Sequence, residues 1–257
     1  MDEGENLFEK HFQDFQRVLD VLKEEQLICD IKKCQFFVRE VEFCGHILGN
    51  GTRRPAPGKL KAVEKWELPM SITALRAFLG FTNYYSSYIE KYADLAAPMQ
   101  EKLKVPREEG RKGSKKKIVW SKADIEAFER LKQVLCSKLV LQRVNPDKPF
   151  VLRVDASGYA AGGALEQLLD EDRAPTVEDV MNKKTVPVAF LSRKLTGGQR
   201  NWTPRELETY AIILALQKWE SWIGLQPVLI LTDHKSLEAW TREVSDTPSV
   251  PVGRRAR

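Results

Sequence analysis

From about residue 147 the order of segments constrains the fold more than any other feature of the chain. Phe150-Val151-Leu152-Arg153-Val154-Asp155 reads as a strand, Ala160 to Gln167 as a second and Pro187 to Arg193 as a third. Asp170 to Lys184, acidic and then polar, reads as a lengthened hairpin loop. Thr203-Pro204-Arg205-Glu206 opens a helix, with threonine as N-cap, proline in the first position and glutamate completing a capping box. That helix runs through Leu207, Ala211 and Leu214 to about Trp222. Pro227 then precedes the unbroken apolar run Val228 to Leu231, the pattern of a strand buried on both faces. Three antiparallel strands, a helix and a buried strand point to a mixed α/β sheet.

Three acidic residues fall at telling places in that plan. Asp155 lies inside the first strand, where an ionised side chain needs a reason to be. Glu208 lies early in the capped helix, on the edge of its apolar face. Asp233 ends the buried strand, where ligand sites of parallel sheets gather. A helix packed across the sheet would let the three carboxylates converge. Anions brought together repel one another, and a hard divalent cation relieves the repulsion. The chemistry that uses such a site is phosphodiester hydrolysis with two Mg²⁺ ions about 3.5–4 Å apart. Taken singly, each residue is more often a cap or a salt-bridge partner than a ligand.

Upstream, Phe8, Phe12, Phe15, Val18, Leu19 and Leu22 recur at helical spacing, giving an amphipathic helix over about 7–26. Leu27 to Ile31 and Phe36 to Phe43 are β-rich and suit a hairpin or a short sheet edge, and Gly45 to Pro57, including Asn50-Gly51, reads as turns. Four short helices are expected at Lys59–Trp66, Ile72–Leu79, Tyr84–Tyr92 and Leu95–Leu103, with Pro69 and Gly80 as breaks. Val105 to Lys117 is a linker or exposed loop with a dense basic run. Its Arg111, Lys112, Lys115, Lys116 and Lys117 either face solvent or form an arm that contacts phosphates. Ser121 and Asp124 make a capping box for a helix whose buried face is Phe128, Leu131 and Leu135. The chain thus divides into 1–50 (helix and hairpin), 51–104 (helical subdomain), 105–118 (basic linker), 119–146 (connecting helix) and 147–257 (the α/β domain).

The net charge of +5 is compatible with a polyanionic partner but common among ordinary proteins. Four cysteines without a CxxC pair suggest reduced intracellular thiols, and Cys34, Cys44 and His46 lack the second ligand pair that zinc requires. The acidic N-terminus is no secretory signal and no apolar run approaches a membrane span, so a soluble cytoplasmic or nuclear protein is expected. Trp202, Trp219, Trp222 and Trp240 suit core packing better than base stacking, given their helical spacing.

The spellings add a resemblance. Val154-Asp155-Ala156-Ser157 with Gly162-Gly163-Ala164-Leu165 resembles the opening of the ribonuclease H domain in Ty3/gypsy-type retrotransposon polyproteins. Val188 to Leu195 (VAFLSRKL) is similar to the strand that follows, Asn201 through Glu208 to the helix carrying the catalytic glutamate, and Thr232-Asp233-His234-Lys235-Ser236-Leu237 to the third motif. The family pattern favours Glu208 over Glu206. Upstream, Lys33-Cys34-Gln35-Phe36 with Gly45-His46 resembles the segment after the polymerase palm. Trp66, Pro69, Leu75 to Gly80 and Tyr84-Tyr85 resemble the family's thumb.

The resemblance implies an α/β chain in which a small helical thumb-like subdomain precedes a ribonuclease H-like mixed sheet, truncated at its C-terminus. It implies Mg²⁺- or Mn²⁺-dependent endonucleolytic cleavage of RNA in an RNA–DNA hybrid, with Asp155, Glu208 and Asp233 holding the metal. The rest of a polyprotein would be a further partner. Two departures matter. A Tyr-x-Asp-Asp polymerase turn is absent from the sequence, so polymerisation by this chain alone is not expected. The family's fourth carboxylate lies farther downstream than Arg257, and Asp246 is too close to the third motif to replace it comfortably. A hybrid-cleaving nuclease, an inactive fragment that binds nucleic acid or a partner chain, and one piece of a complete polyprotein are therefore the readings to separate.

Overall fold

The structure, a computed structural model, describes residues 3–104, 117–169 and 171–233. It divides into two compact units, 1–41 and 42–257. In the first, helix α1 (Glu3–Glu24) carries the expected apolar spacing. Phe8 stacks on Phe37 at 5.3 Å and Phe15 meets Phe36 edge-on at 5.1 Å. Of the hairpin or short sheet edge expected over 27–43, no hairpin forms and one short edge strand does. The Asp30 carboxylate accepts from Lys32 N–H at 3.1 Å and turns Ile31–Lys33 into a 3₁₀ helix, leaving only β1 (Glu40–Phe43) as strand.

The second unit begins with a small sheet in the order β1-β2-β3-β4, where β2 is His46–Gly49, β3 Thr52–Pro55 and β4 Leu141–Gln142. Here turns were expected, but Asn50-Gly51 closes a tight hairpin. Both residues have positive φ (50° and 67°), the left-handed geometry that matches strand twist.

Four helices pack beside this sheet: α2 (Pro57–Glu64), α3 (Ile72–Tyr84), α4 (Tyr92–Lys102) and α5 (Lys122–Cys136). Gly80 does not end α3 as expected. Burial of Phe78, Leu79 and Thr82 around it outweighs a glycine penalty of about 1 kcal/mol. The expected helix over 84–92 is only a 3₁₀ turn at Ser86–Tyr88, broken by Lys91 in left-handed backbone. Ser121 and Asp124 form the expected capping box. Helix α5, read from sequence as a connector, is part of the helical core: Phe128, Leu131 and Leu135 are fully buried with Leu75, Phe78 and Met99. Each such side chain contributes about 1.5–3 kcal/mol by leaving water.

The larger sheet has the order β7-β6-β5-β8, formed by β5 (Phe150–Ala156), β6 (Ala160–Leu168), β7 (Thr185–Lys194) and β8 (Val228–Leu231). The first three are antiparallel, with a bulge at Leu165/Glu166, and β8 runs parallel to β5. The connection from β6 to β7 is not simply a loop, because Thr176 and Asp179 cap a short helix α6 (Val177–Met181). Helix α7 (Pro204–Ile223), started by the Thr203/Glu206 capping box, crosses one sheet face. Leu207, Ala211, Ala215 and Trp219 of α7 pack with Phe150, Leu152, Val154 and Leu165. A Cβ on Gly163 would meet Arg153 O at 3.3 Å and Ala215 Cβ at 3.6 Å, so glycine lets the helix lie close. Strand β8, expected to be buried on both faces, is half-buried throughout, because among the described residues it lies at the sheet's edge.

Candidate active site

Alternation along β5 sends Phe150, Leu152 and Val154 toward α7 and Arg153 and Asp155 to the opposite face. The parallel register pairs Arg153 with Leu231, and Asp155 and Asp233 each lie two residues beyond that pair. The two aspartates therefore leave adjacent parallel strands at the same end. Both line a cleft of about 580 Å³, with Arg153, Thr232 and Ser157 from the sheet and Glu90, Lys91 and Asp94 from the helical subdomain.

Glu208 comes from the other side of the sheet and does not line the cleft. It is only 4 % exposed, and both its oxygens are held: Ala156 N–H donates to Oε1 at 3.0 Å and Thr232 Oγ1 to Oε2 at 3.1 Å. Burial raises its proton affinity; the hydrogen bonds from Ala156 and Thr232 oppose this, and the charges of Asp233 and Asp155 add to it. The rival glutamate, Glu206, is exposed and occupied by the helix cap, accepting from Thr203 N–H at 2.7 Å and its hydroxyl at 2.8 Å.

Asp155 is half-exposed and ion-paired with the Lys91 ammonium. Arg153 is fixed by Glu166, itself 4 % exposed, through contacts of 2.7 and 2.6 Å, while Thr185 donates to the other Glu166 oxygen at 2.6 Å. The donor chemistry suits a hard divalent cation, since all three candidates offer carboxylate oxygen, and the Lys91 ammonium already stands as a cation at Asp155. As they stand, no three His, Cys, Asp or Glu side chains among the described residues are gathered closely enough to hold a metal.

Residues 120–230 match the family described as "RNase H-like domain found in reverse transcriptase". The match covers less than half of the chain. This RNase H-like domain and the helices before it are also similar to retrotransposon polyproteins. The chain is 32% identical over 238 residues to the retrovirus-related Pol polyprotein from transposon 297 of Drosophila melanogaster, covering 92% of the chain and 20% of that protein. It is 32% identical over 230 residues to the transposon Tf2-3 polyprotein of Schizosaccharomyces pombe, covering 89% of the chain and 16% of that protein. The chain thus spans a fifth or less of these relatives.

Among solved structures the fold resembles the foamy viral protease-reverse transcriptase dRH in complex with double-stranded DNA. The TM-score is 0.68 at 17% identity, covering 94% of this chain and 38% of that one. The foamy viral protease-reverse transcriptase in complex with RNA/DNA hybrid gives a TM-score of 0.65 at 17% identity, covering 95% and 31%. Residues 120–230 thus match an RNase H-like domain, most of the chain is similar to a segment of retrotransposon polyproteins, and the mixed α/β fold is the one the sequence motifs implied.

The structure adds residues that sequence reading missed. Glu90, Lys91 and Asp94 reach the cleft from the start of α4 and the residues just before it, distant in sequence, and Arg153 passes in sequence as an ordinary strand residue. Of the basic run, Lys117 is exposed and bridges to Ser71, whereas Arg111, Lys112, Lys115 and Lys116 lie outside the described residues. His234, Trp240 and Asp246 also lie outside them. His46 meets Tyr88 OH at 2.9 Å through Nδ1. Trp219 is buried, while Trp202 is exposed and packs edge-on against Tyr210 at 5.6 Å. No helix among the described residues is long and apolar enough to cross a membrane.

Proposed function

We propose that the RNase H-like domain hydrolyses the RNA strand of an RNA–DNA hybrid with the help of Mg²⁺ or Mn²⁺, as part of a larger retrotransposon polyprotein. The observation that carries this reading is the emergence of Asp155 and Asp233 from the same end of two parallel strands, with Glu208 hydrogen-bonded directly behind them. Asp155 and Asp233 present carboxylate oxygens to the cleft, and Glu208 is oriented by Ala156 and Thr232. Bound divalent ions supply Lewis acidity that activates water and stabilises the leaving oxygen. Arg153, fixed by Glu166 in the same cleft, offers a cation to a substrate phosphate. Lys117 and the adjoining Arg111, Lys112, Lys115 and Lys116 would add contacts to the hybrid backbone, which position a nucleic acid without reading its sequence.

The reading is supported by the family match and by a fold neighbour whose structure contains an RNA/DNA hybrid. The test is incubation of the purified chain with labelled hybrid and Mg²⁺ or Mn²⁺ at low salt, with Asp155→Asn and single-stranded RNA as controls. Cleavage of the hybrid RNA that disappears in the variant is expected. A folded chain that binds hybrid without cutting it would leave a binding role only.

A further inference from the structure

Asp155 is not bare. Lys91 is the N-cap of α4, with left-handed backbone (φ 54°, ψ 34°) that favours glycine, and its side chain crosses to the sheet to pair with Asp155. The pair is built into a docked interface. Ala93 N–H donates to Ser192 Oγ at 2.9 Å, Ser157 Oγ to Asp94 Oδ1 at 2.8 Å and Tyr159 OH to Gln100 Oε1 at 3.3 Å, while Lys194 meets Glu101 at 3.3 Å. Four contacts along one helix thus fix where the Lys91 ammonium can reach. The cleft's other cation, Arg153, is committed to buried Glu166, so Lys91 is the charge paired with Asp155.

We infer that Lys91 is a resident counter-ion of the site: its ammonium takes the place of a divalent cation at Asp155, and a metal ion must displace it in order to bind. The helical subdomain thereby sets how tightly the RNase H-like site holds metal. Displacement moves one ammonium into solvent, where Glu90 and Asp94 flank its backbone. The inference rests on the reading of Asp155 as a metal ligand, and direct metal binding separates the two.

Mn²⁺ titration of the full chain, followed by electron paramagnetic resonance of the free ion, is the experiment. Removing a unit cation a few ångströms from the metal position should tighten Mn²⁺ binding roughly tenfold in Lys91→Met. Lys91→Gly, whose residue suits the left-handed backbone, should do the same and guards against a folding defect. Adding Asp155→Asn to either should abolish the gain, and Lys122→Met, on the exposed face of α5, should change nothing. Unchanged or weaker binding in both Lys91 variants overturns the inference, as does equal tightening in Lys122→Met. If neither the unmodified chain nor the Lys91 variants bind Mn²⁺, the metal reading of Asp155 falls and takes this inference with it.

Discussion

The backbone N–H of Ala156, one residue beyond Asp155, donates to Glu208 Oε1 at 3.0 Å and fastens helix α7 to the end of strand β5. This bond separates two roles of one side chain. Glu208→Ala leaves a partly buried N–H unpaired and should cost about 1–2 kcal/mol. Glu208→Gln keeps an acceptor at the same place and should unfold within about 1 kcal/mol of the unmodified chain. If Glu208 serves the proposed hydrolysis, Glu208→Gln should still lose about ten- to a hundredfold in hybrid cleavage. Urea midpoints beside cleavage rates test both, and a fully active Glu208→Gln would remove Glu208 from the site.

Arg153 and Glu166 form a partly buried pair with Thr185 as third member. Arg153→Ala leaves the buried Glu166 carboxylate of β6 without its cation and should cost about 2–3 kcal/mol, below the fully buried range because Arg153 is partly exposed. Arg153→Ala combined with Glu166→Gln should recover part of that loss. A double-mutant cycle by denaturant unfolding measures it, and additive single effects would mean that the pair is not coupled.

Gly51, with φ 67° in the β2–β3 turn, should resist any side chain. Gly51→Ala is expected to lower stability by about 1–2 kcal/mol through backbone strain alone, since nothing lies within 4 Å of the added Cβ. Thermal unfolding of the single variant is sufficient. An unchanged melting temperature would show that the hairpin relaxes into another turn.

Burial, and then the nearby Arg53 charge, lower the proton affinity of His46 below its ordinary value. The folded chain therefore binds fewer protons there than the unfolded chain does. The stability contribution is complete above the unfolded value, about 6.5, and is lost as pH falls through the lower folded value. Urea midpoints should decline below about pH 6.5, and His46→Phe, which keeps a ring against Tyr84 and Tyr88, should flatten that part of the profile. Equal slopes in the two proteins would assign the decline to other groups.

The domain that carries the candidate site was legible because its signals are local. The strand runs, the Thr203 capping box and the apolar β8 each announce themselves within a few residues, and the motif spellings placed Asp155, Glu208 and Asp233 on them. The errors lie where a short polar interaction overrides propensity. Asp30 turns a β-rich segment into a 3₁₀ helix, Thr176 and Asp179 cap a helix inside a loop, and Asn50-Gly51 joins two strands through a turn. Lys91 could not be found from sequence, because only the docking of α4 on the sheet brings its ammonium to Asp155. Equally, nothing in the capped helix announces that Glu208 would sit behind the cleft, since that follows from how closely α7 packs at Gly163.

The parallel pairing of β5 with β8 has a further consequence for how such a site tolerates change. The relative position of Asp155 and Asp233 is dictated by main-chain pairing from Phe150–Val228 to Arg153–Leu231, not by the long stretch of polypeptide that joins the two strands. Insertions, deletions and sequence drift between residues 171 and 184, in the connection from β6 to β7, can remodel the surface there while the carboxylate spacing stays put. A slip of one residue in β8 would instead turn Asp233 to the opposite face of the sheet at once. The geometry is thus indifferent to the β6–β7 connection and unforgiving over four residue pairs.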